Sequence, residues 1–473
     1  MPNVQRILAP MVAAAILVPW TGADAQVTTA TLYGIVRDST GAALPGANVT
    51  ATNQGTNLSR EIVTDERGEF ALPALPTGPY TLRIALQGFK AYTNQGLALG
   101  AGQTVRQTFV LEVGEVSENI TVAASAPLVE TVTTKQVEAL VSEEVLELPV
   151  ARRNVGNLLA LSPGVNATDR TEAKSFRVNG VGDGGTGITV DGTDAQANPE
   201  THSFGQYGGQ NQIDIMGLEA VAEVQIVKGI LPAEYGGAIG GHISMLTRSG
   251  TNTFHGSVFE NHQNEAFFVR DPFLPPTTSK PSVKFNQFGG SLGGPIVRNR
   301  AMFFGTYEGY RETTGITVQD TVPTQQLRDQ ILAALPFPET RIGLDSLPLP
   351  NQPINADIGR FTDAKKRTRR DNHFLVKGDV VVFNGNLSLT TSRMRPHSIV
   401  PSYRIGNHQN YLNASDRATA QYVLARRSWV SESRFGWNRT RLERFQDFWF
   451  TPLQGGLRKR SSPALAGATR ILP

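Results

Sequence analysis

The sequence predicts a mainly β protein in three successive parts: an N-terminal β-sandwich, a compact α+β unit, and a partial antiparallel transmembrane β-barrel. Three observations lead there. Near the N-terminus, runs of alternating apolar and polar residues recur at ~8–12-residue spacing with turn clusters between them. Charged residues are 18% of the chain, below the ~25% of an average soluble domain, while Gly, Thr, Asn, Ser and Val are plentiful. Towards the C-terminus, segments of about ten residues carry one apolar and one charged face, the pattern of strands that separate lipid from a polar interior.

Residues 1–25 read as a secretory signal peptide. Arg6 precedes an apolar stretch from Ile7 to Trp20, and Ala23 and Ala25 form an A-x-A ending, with cleavage expected before Gln26. The stretch is shorter than the ~20 residues a spanning helix needs. The chain has no cysteine, which excludes a disulfide framework, a thiolate metal site and a cysteine nucleophile.

Residues 26–113 form the sandwich. "ATLYGIVRD", "ANVTATN", "SREIVTD", "GEFALPAL", "GPYTLRIALQGF" and "TVRQTFVLEV" alternate with period two, separated by "STGAALPG", "DERG" and "LPTGP". In "YTLRIAL", Tyr80, Leu82, Ile84 and Leu86 share a face. Residues 114–127 are an extended linker closed by Pro127.

Residues 128–248 form the α+β unit. Ser142 can cap a short helix with Glu143 and Glu144 in its first turn and Pro149 at its end. Asn154 can cap a second, with Val155, Leu158 and Leu159 on one face and "SPG" after it. Strands then alternate with glycine-rich turns: "SFRVNG", "GITVDG", "AVAEVQIVKG" and "HISMLTR".

Residues 249–473 carry the barrel pattern. "DNHFLVKGDVVVF" places Phe374, Val376, Gly378, Val380 and Val382 opposite Lys377 and Asp379. "RSWVSESRFGWNRT" sets Trp429, Phe435 and Trp437 against Glu432, Arg434 and Asn438, and "GNLSLTTSR" alternates likewise. Thr313 to Arg370 reads as a long polar loop.

Several stretches invite a chemical reading. "GGAIGGHI", Gly236 to Ile243, lacks the lysine of a phosphate loop, and a strand rather than a helix follows it. His262 and Glu265 have the H-x-x-E spacing of zinc ligands, but a catalytic zinc needs a third protein ligand and supporting partners. The other histidines (His202, His242, His255, His373, His397, His408) lie in no matching motif. No G-x-S-x-G occurs, and Asp183, Asp191 and Asp194 lack calcium-loop spacing. No cofactor, bound metal or catalytic residue is therefore expected. A net charge of +3 without a long basic block gives no support to nucleic-acid binding.

The first region resembles the carboxypeptidase regulatory-like domain, a transthyretin- or immunoglobulin-like sandwich grouped with carbohydrate-binding-like folds. The resemblance rests on Gly34, Val36, Asp38, Gly41, Leu44-Pro45-Gly46-Ala47, Val49, Thr64-Asp65, Gly68, Phe70, Leu75-Pro76, Gly78, Tyr80 and Gly88-Phe89. The remainder resembles TonB-dependent outer-membrane receptors, in particular the Oar-like group that carries such a domain. The plug signature is matched by "LPVARRNVGNLLALSPGV", by Asp191 and Gly192, by Lys228 and Gly229, and by Tyr235, Gly236, Gly240 and Gly241 before "RSGTN". "FHGSVFENHQNE", "FNQFGGSLGGPI" and "FFGTYEGYRE" match the barrel entry. Lys228 and His242 depart from the pattern, which favours Arg and an apolar residue there.

The resemblance implies a plug-gated outer-membrane receptor, its sandwich in the periplasm, that takes up an organic ligand such as a carbohydrate or peptide. It implies outer-membrane lipid around the wall, and the TonB complex of the inner membrane as energising partner. Strand addition would take place at Glu118, Asn119, Ile120, Thr121 and Val122. Such receptors close with about twenty-two strands, and a lumen that wide needs a plug. The third region is too short for that many, so an incomplete barrel is expected. The alternatives are a surface or adhesion protein without transport and a secreted metallopeptidase-like enzyme using His262 and Glu265.

Overall fold

The computed structural model describes residues 28–114, 119–122, 136–141, 153, 155–159, 161–167, 176–181, 186–195, 216–232, 235–236, 238–267, 269, 282–405, 408–426 and 429–447. The signal peptide, the helix expected after Ser142 and the C-terminal tail lie outside them.

The first unit is a sandwich of two sheets. Strands β1 (Ala30–Asp38), β2 (Asn48–Asn53), β3 (Ser59–Val63), β4 (Glu69–Leu75), β5 (Gly78–Ala85), β6 (Ala91–Leu99), β7 (Thr104–Leu111) and β8 (Asn119–Val122) sort into β4-β1-β7 and β3-β2-β5-β6-β8. Alternation decides which side chains go inside: Tyr80, Leu82 and Ile84 are buried, and Leu86 packs against the same core. Phe70 and Phe109 stack at 5.9 Å, and Tyr92 meets Phe109 edge-on at 5.6 Å. The buried Tyr80 hydroxyl donates to the Pro76 carbonyl at 2.8 Å, and burial pushes its pKa up to about 12.

The second unit is a mixed five-stranded sheet with a short helix. Its elements are β9 (Gln136–Val141), α1 (Val155–Leu159), β10 (Val165–Ala167), β11 (Phe176–Val178), β12 (Thr186–Val190), β13 (Thr193–Asp194), β14 (Val221–Lys228) and β15 (Gly241–Thr247). The sheet order is β13-β12-β15-β14-β9, with β12 and β15 parallel. Val155, Leu158 and Leu159 are fully buried, as their spacing on one helix face predicts, while the expected cap Asn154 lies outside the described residues. Strand β15 is buried at every residue, and β14 at all but one, so both are interior strands. The core also takes in Phe304 and Leu375 from the third unit, so the two share one apolar cluster.

The third unit is one antiparallel nine-stranded sheet: β16 (His255–Asn264), β17 (Val283–Val297), β18 (Ala301–Pro323), β19 (Gln352–Pro353), β20 (Ile358–Val382), β21 (Gly385–Met394), β22 (His397–Pro401), β23 (His408–Ala425) and β24 (Val430–Asp447). Its polarity is inverted relative to a soluble sandwich. On the outward face Val258 is 93% exposed, and Leu292, Phe374, Val376, Leu389, Phe435 and Trp437 are exposed too. On the inward face Gln287 is 2% exposed, and Glu308, Glu312, Asp371, Lys377, Arg417 and Thr419 are buried. Only a wall with lipid outside and protein inside favours that arrangement.

Thr313 to Arg370 is not the long loop that its polar composition predicts. β18 continues to Pro323 and β20 begins at Ile358, paired in unbroken register from Pro323↔Ile358 to Ala301↔Val380. The rest of the segment holds α2 (Gln325–Ala334) and α3 (Pro338–Asp345). Polar residues alternate as well as apolar ones, and strands this long project beyond the hydrocarbon layer, so neither side needs an apolar face there. Thr324 caps α2 by accepting from the Leu327 N–H, and Pro338 opens α3.

The connections set the direction. β17–β18, β20–β21 and β23–β24 are joined by short turns, and the opposite end carries the long connection with both helices. In outer-membrane barrels the short turns are periplasmic. The sandwich lies at that end: Asn57 Nδ2 donates to Asn299 Oδ1 at 3.0 Å, Asn252 N–H to the Gly55 carbonyl at 2.8 Å, and Arg60 to the Ala425 carbonyl at 3.1 Å.

Candidate functional site

The α+β unit lies against the inward face of the wall, and two polar clusters join them. The first is a corner of the unit. Asp191, at φ +48°, and Gly192, at φ +69°, turn the chain between β12 and β13. Gly192 is required twice over: its φ disfavours a side chain, and a Cβ there would lie 2.2 Å from Arg434 Nη1. The buried Asp191 carboxylate accepts from the Thr247 N–H at 2.9 Å and from its hydroxyl at 2.8 Å, tying β12 to the end of β15.

Two wall cations grip this corner. Lys377 Nζ on β20 donates to the Thr247 carbonyl and hydroxyl, both at 3.1 Å. Arg417 on β23 donates to the carbonyls of Asp194 at 2.8 Å, Val190 at 3.0 Å and Thr193 at 2.7 Å, and to the Thr193 hydroxyl. One guanidinium thus ties carbonyls of β12 and β13 to the wall through charge-assisted hydrogen bonds. Arg434 on β24 extends the row, donating to Glu432 and, at 2.9 Å, to Thr28 Oγ1 of the sandwich.

Glu219 is the centre of the second cluster. Its buried carboxylate pairs with Arg153 at 2.9 Å and Arg248 at 3.8 Å, and accepts from Ser257 Oγ of the wall at 2.7 Å. Beside it, Gln287 donates to the Arg153 carbonyl at 2.8 Å and to Glu308 at 2.7 Å. Each of these polar bonds could be exchanged for water, unlike the apolar contacts that Phe304 and Leu375 of the wall share with the unit's core.

The remaining signature residues stiffen the unit. Lys228 Nζ donates to Glu138 and to the Pro163 carbonyl, both at 2.6 Å, holding β9 to β14 and to the end of the α1 segment; Gly229 follows at φ +83°. A Cβ on Gly240 would lie 2.7 Å from Val181, and one on Gly241 2.6 Å from Val178, so both allow β11 and its turn to pack on β15. Gly236 has nothing within 4 Å of a Cβ, and nothing in the structure explains it. Tyr235 lies 4.8 Å from the ring of His242, which is buried and meets Thr189 Oγ1 at 3.1 Å. Burial lowers the His242 pKa to about 4, so the ring is neutral at pH 7 and packs as an uncharged aromatic side chain. That is how a histidine fits where the family pattern is apolar.

The sandwich reaches the unit through Gln225, which donates to the Ala101 carbonyl at 2.6 Å, and Glu223, which accepts from the Ala101 N–H at 3.2 Å. Burial raises the Glu223 carboxyl, and the Gln225 and Ala101 donors oppose that. Within the expected coupling segment, Glu118 lies outside the described residues. Asn119 to Val122 form β8, parallel to β6 in the register Ala91↔Asn119 to Asn94↔Val122. His262 and Glu265 take different partners: His262 Nδ1 meets Asn286 at 2.6 Å, and Glu265 accepts from Ser282 and the Val283 N–H. Among the described residues, no group of three or more metal-ligating side chains could hold a metal ion.

Sequence reasoning placed Lys377 and Arg434 on a polar face without assigning either a partner, and it missed Arg417 and Glu219. The signal available for Arg417 was a lone basic residue on the inward register of "SDRATAQYV".

Comparison with known proteins agrees with this anatomy. Three family models match in succession: a carboxypeptidase regulatory-like domain over 31–112, a TonB-dependent receptor plug domain over 129–242 and an outer membrane beta barrel domain over 246–471. The TonB-dependent transporter Oar of Myxococcus xanthus is 29% identical over 298 residues, 60% of this chain and 27% of that protein. A probable TonB-dependent siderophore receptor, PirA of Acinetobacter baumannii, is 27% identical over 190 residues, 37% of this chain and 23% of its own length. The solved outer membrane transporter YddB from Escherichia coli aligns over 64% of this chain and 38% of its own, at 14% identity and a TM-score of 0.42. The chain spans about a quarter of the length of the curated relatives it matches. With its sandwich, plug and wall in this order, the chain belongs to the TonB-dependent outer-membrane receptors that carry a carboxypeptidase regulatory-like domain.

Proposed function

We propose that this chain is the plug-bearing part of a transporter that takes an organic ligand across the outer membrane, with TonB of the inner membrane supplying the work and no catalytic step in the chain itself. The observation that carries this reading is the polar grip of Lys377 and Arg417 on the Asp191–Thr247 corner. Such contacts suit a plug that is held shut yet can be released, because water can take over each bond.

The coupling segment supports the same reading. Strand β8 lies between sandwich and plug in the chain and at the end of the sheet order β3-β2-β5-β6-β8, with no second neighbour among the described residues. An edge of this kind is a template for strand addition, with main-chain hydrogen bonds supplying most of the affinity. A pull on β8 would act on the sandwich through β6 and on the plug through the residues that follow.

The test uses proline, which removes a donor and fixes φ. Ile120→Pro and Val122→Pro are each expected to weaken binding of the TonB C-terminal domain at least about tenfold, with plug and wall intact. Unchanged binding by both variants would overturn the assignment of the segment. Uptake that persists with both would overturn TonB-driven transport.

A further inference from the structure

The sandwich is docked on the wall and the plug at once. Its β2–β3 hairpin meets the β17–β18 turn through Asn57 and Asn299, and Arg60 reaches the β23–β24 turn at the Ala425 carbonyl. Strands β20 and β21 lie between those two turns in the sheet order, so the sandwich bridges the periplasmic mouth of the described wall. Asn252, at the junction of plug and wall, joins the same clasp: its Nδ2 donates to Asn299 Oδ1 at 2.8 Å and its Oδ1 accepts from the Asn299 N–H at 2.7 Å. A third contact lies inside the wall. Thr28, buried at the start of the sandwich, accepts from Gln421 Nε2 and Arg434 Nη2, both at 2.9 Å. Its methyl stands against the plug corner, where a Cβ on Gly192 would lie 2.9 Å from Thr28 Cγ2.

This dock differs in kind from the seat of the plug. Among the described residues the sandwich core contains sandwich residues alone, whereas the plug core takes in Phe304 and Leu375 of the wall. The hydrogen bonds of the dock can pass to water, while parting plug from wall also exposes shared apolar area. The sandwich is therefore the body that separates at lower cost. It also stands in the way of the plug. With Thr28 and Arg434 beside Gly192, the Asp191–Gly192 turn is enclosed by wall and sandwich together.

We propose that the sandwich is a latch on the plug: it leaves its dock as a folded body, and only from that undocked state does the Asp191–Thr247 corner open. This rests on the reading of the chain as a plug-gated transporter pulled at β8. Because β8 is bonded to β6, such a pull loads the sandwich before it loads the plug. If the corner opens only after undocking, a change that favours undocking raises both opening constants by the same factor.

The test is amide hydrogen exchange on the full chain in detergent. The Asn252 N–H, which donates to Gly55, reports the dock; the Asp191 and Ala195 N–H groups report the corner; the Val36 and Leu44 N–H groups report the sandwich itself. Asn57→Ala/Arg60→Gln removes two dock bonds remote from the corner. Exchange at Asn252, Asp191 and Ala195 should rise together, at least about tenfold, with Val36 and Leu44 still protected. A reversible lock completes the test. The chain has no cysteine, and a Cβ on Gly55 would lie 3.8 Å from Thr251 Cβ, a separation that suits a disulfide. Added to the undocked variant, oxidised Gly55→Cys/Thr251→Cys should return the corner to wild-type protection, and reduction should release it again. Fast exchange at Asn252 with an unchanged corner, or a corner indifferent to the lock, would overturn the latch. Unchanged exchange at Asn252, or loss of protection at Val36 and Leu44, would overturn the dock as a detachable seat for a folded body. The expected exchange pattern in a chain that fails to bind TonB would fault the transport reading alone, so the two failures are distinct.

Discussion

Arg417→Gln should loosen the plug from its wall while leaving both folded. In the wild type one buried guanidinium donates to three plug carbonyls, at Val190, Thr193 and Asp194, and to the Thr193 hydroxyl. Glutamine is uncharged and too short to reach all of them. Charge-assisted hydrogen bonds contribute about 1.5–3 kcal/mol each, and removing one partner of a buried polar group costs more than its net value. Breaking a buried charged cluster typically costs about 3–5 kcal/mol. With water entering the gap, the lower end applies here, about 3 kcal/mol. Every ~1.4 kcal/mol is a factor of ten, so the local opening constant should rise at least about 100-fold. The assay is amide hydrogen exchange on the folded chain in detergent, read at Asp191 N–H and Ala195 N–H, which donate to Met245 and Ile188. Arg393→Gln is the control: Arg393 lies beside this level of the wall but faces outward and pairs with Asp416. Protection at β12 and β13 within threefold of wild type, or an equal loss in the control, would refute the reasoning.

Three further outcomes are expected. The buried His242 has its pKa lowered to about 4 from 6.5, so the unfolded chain binds more protons between those values; plug stability should be complete above pH ~6.5 and fall by about 3 kcal/mol as pH drops to ~4, and His242→Leu should flatten the dependence of exchange protection in β15, once intrinsic rates are corrected. Gly240→Ala places a methyl 2.8 Å from the Val178 carbonyl and should destabilise the plug by about 1–3 kcal/mol, whereas Gly236→Ala, with open space around it, should be neutral in the same measurement. The sandwich has its own apolar core, so residues 26–113 expressed alone should unfold cooperatively, and Tyr80→Phe, which loses the bond to Pro76, should lower its unfolding free energy by about 1 kcal/mol in denaturant titration; a coil-like far-UV spectrum would contradict this.

The sequence by itself determined the mainly β fold class and the inward and outward faces of the strands it identified. Period-two alternation is a local property, and it is enough to place Tyr80, Leu82 and Ile84 in a core or Phe374 and Val376 on lipid. Glycines held by local backbone geometry, such as Gly192 at φ +69°, were legible for the same reason. What alternation could not show is which unit a polar inward face would meet. Lys377 and Arg417 read as one side of two strands, and only the tertiary structure brings both to the Asp191–Thr247 corner, more than a hundred residues away along the chain. The extent of β18 and β20 was hidden because strands beyond the membrane need no apolar face, so their composition matches that of a loop. Strand β8 was read as a linker because four residues carry too little pattern to reveal a partner. Its place on β6 follows from backbone hydrogen bonding, which every residue offers and the order of side chains does not encode.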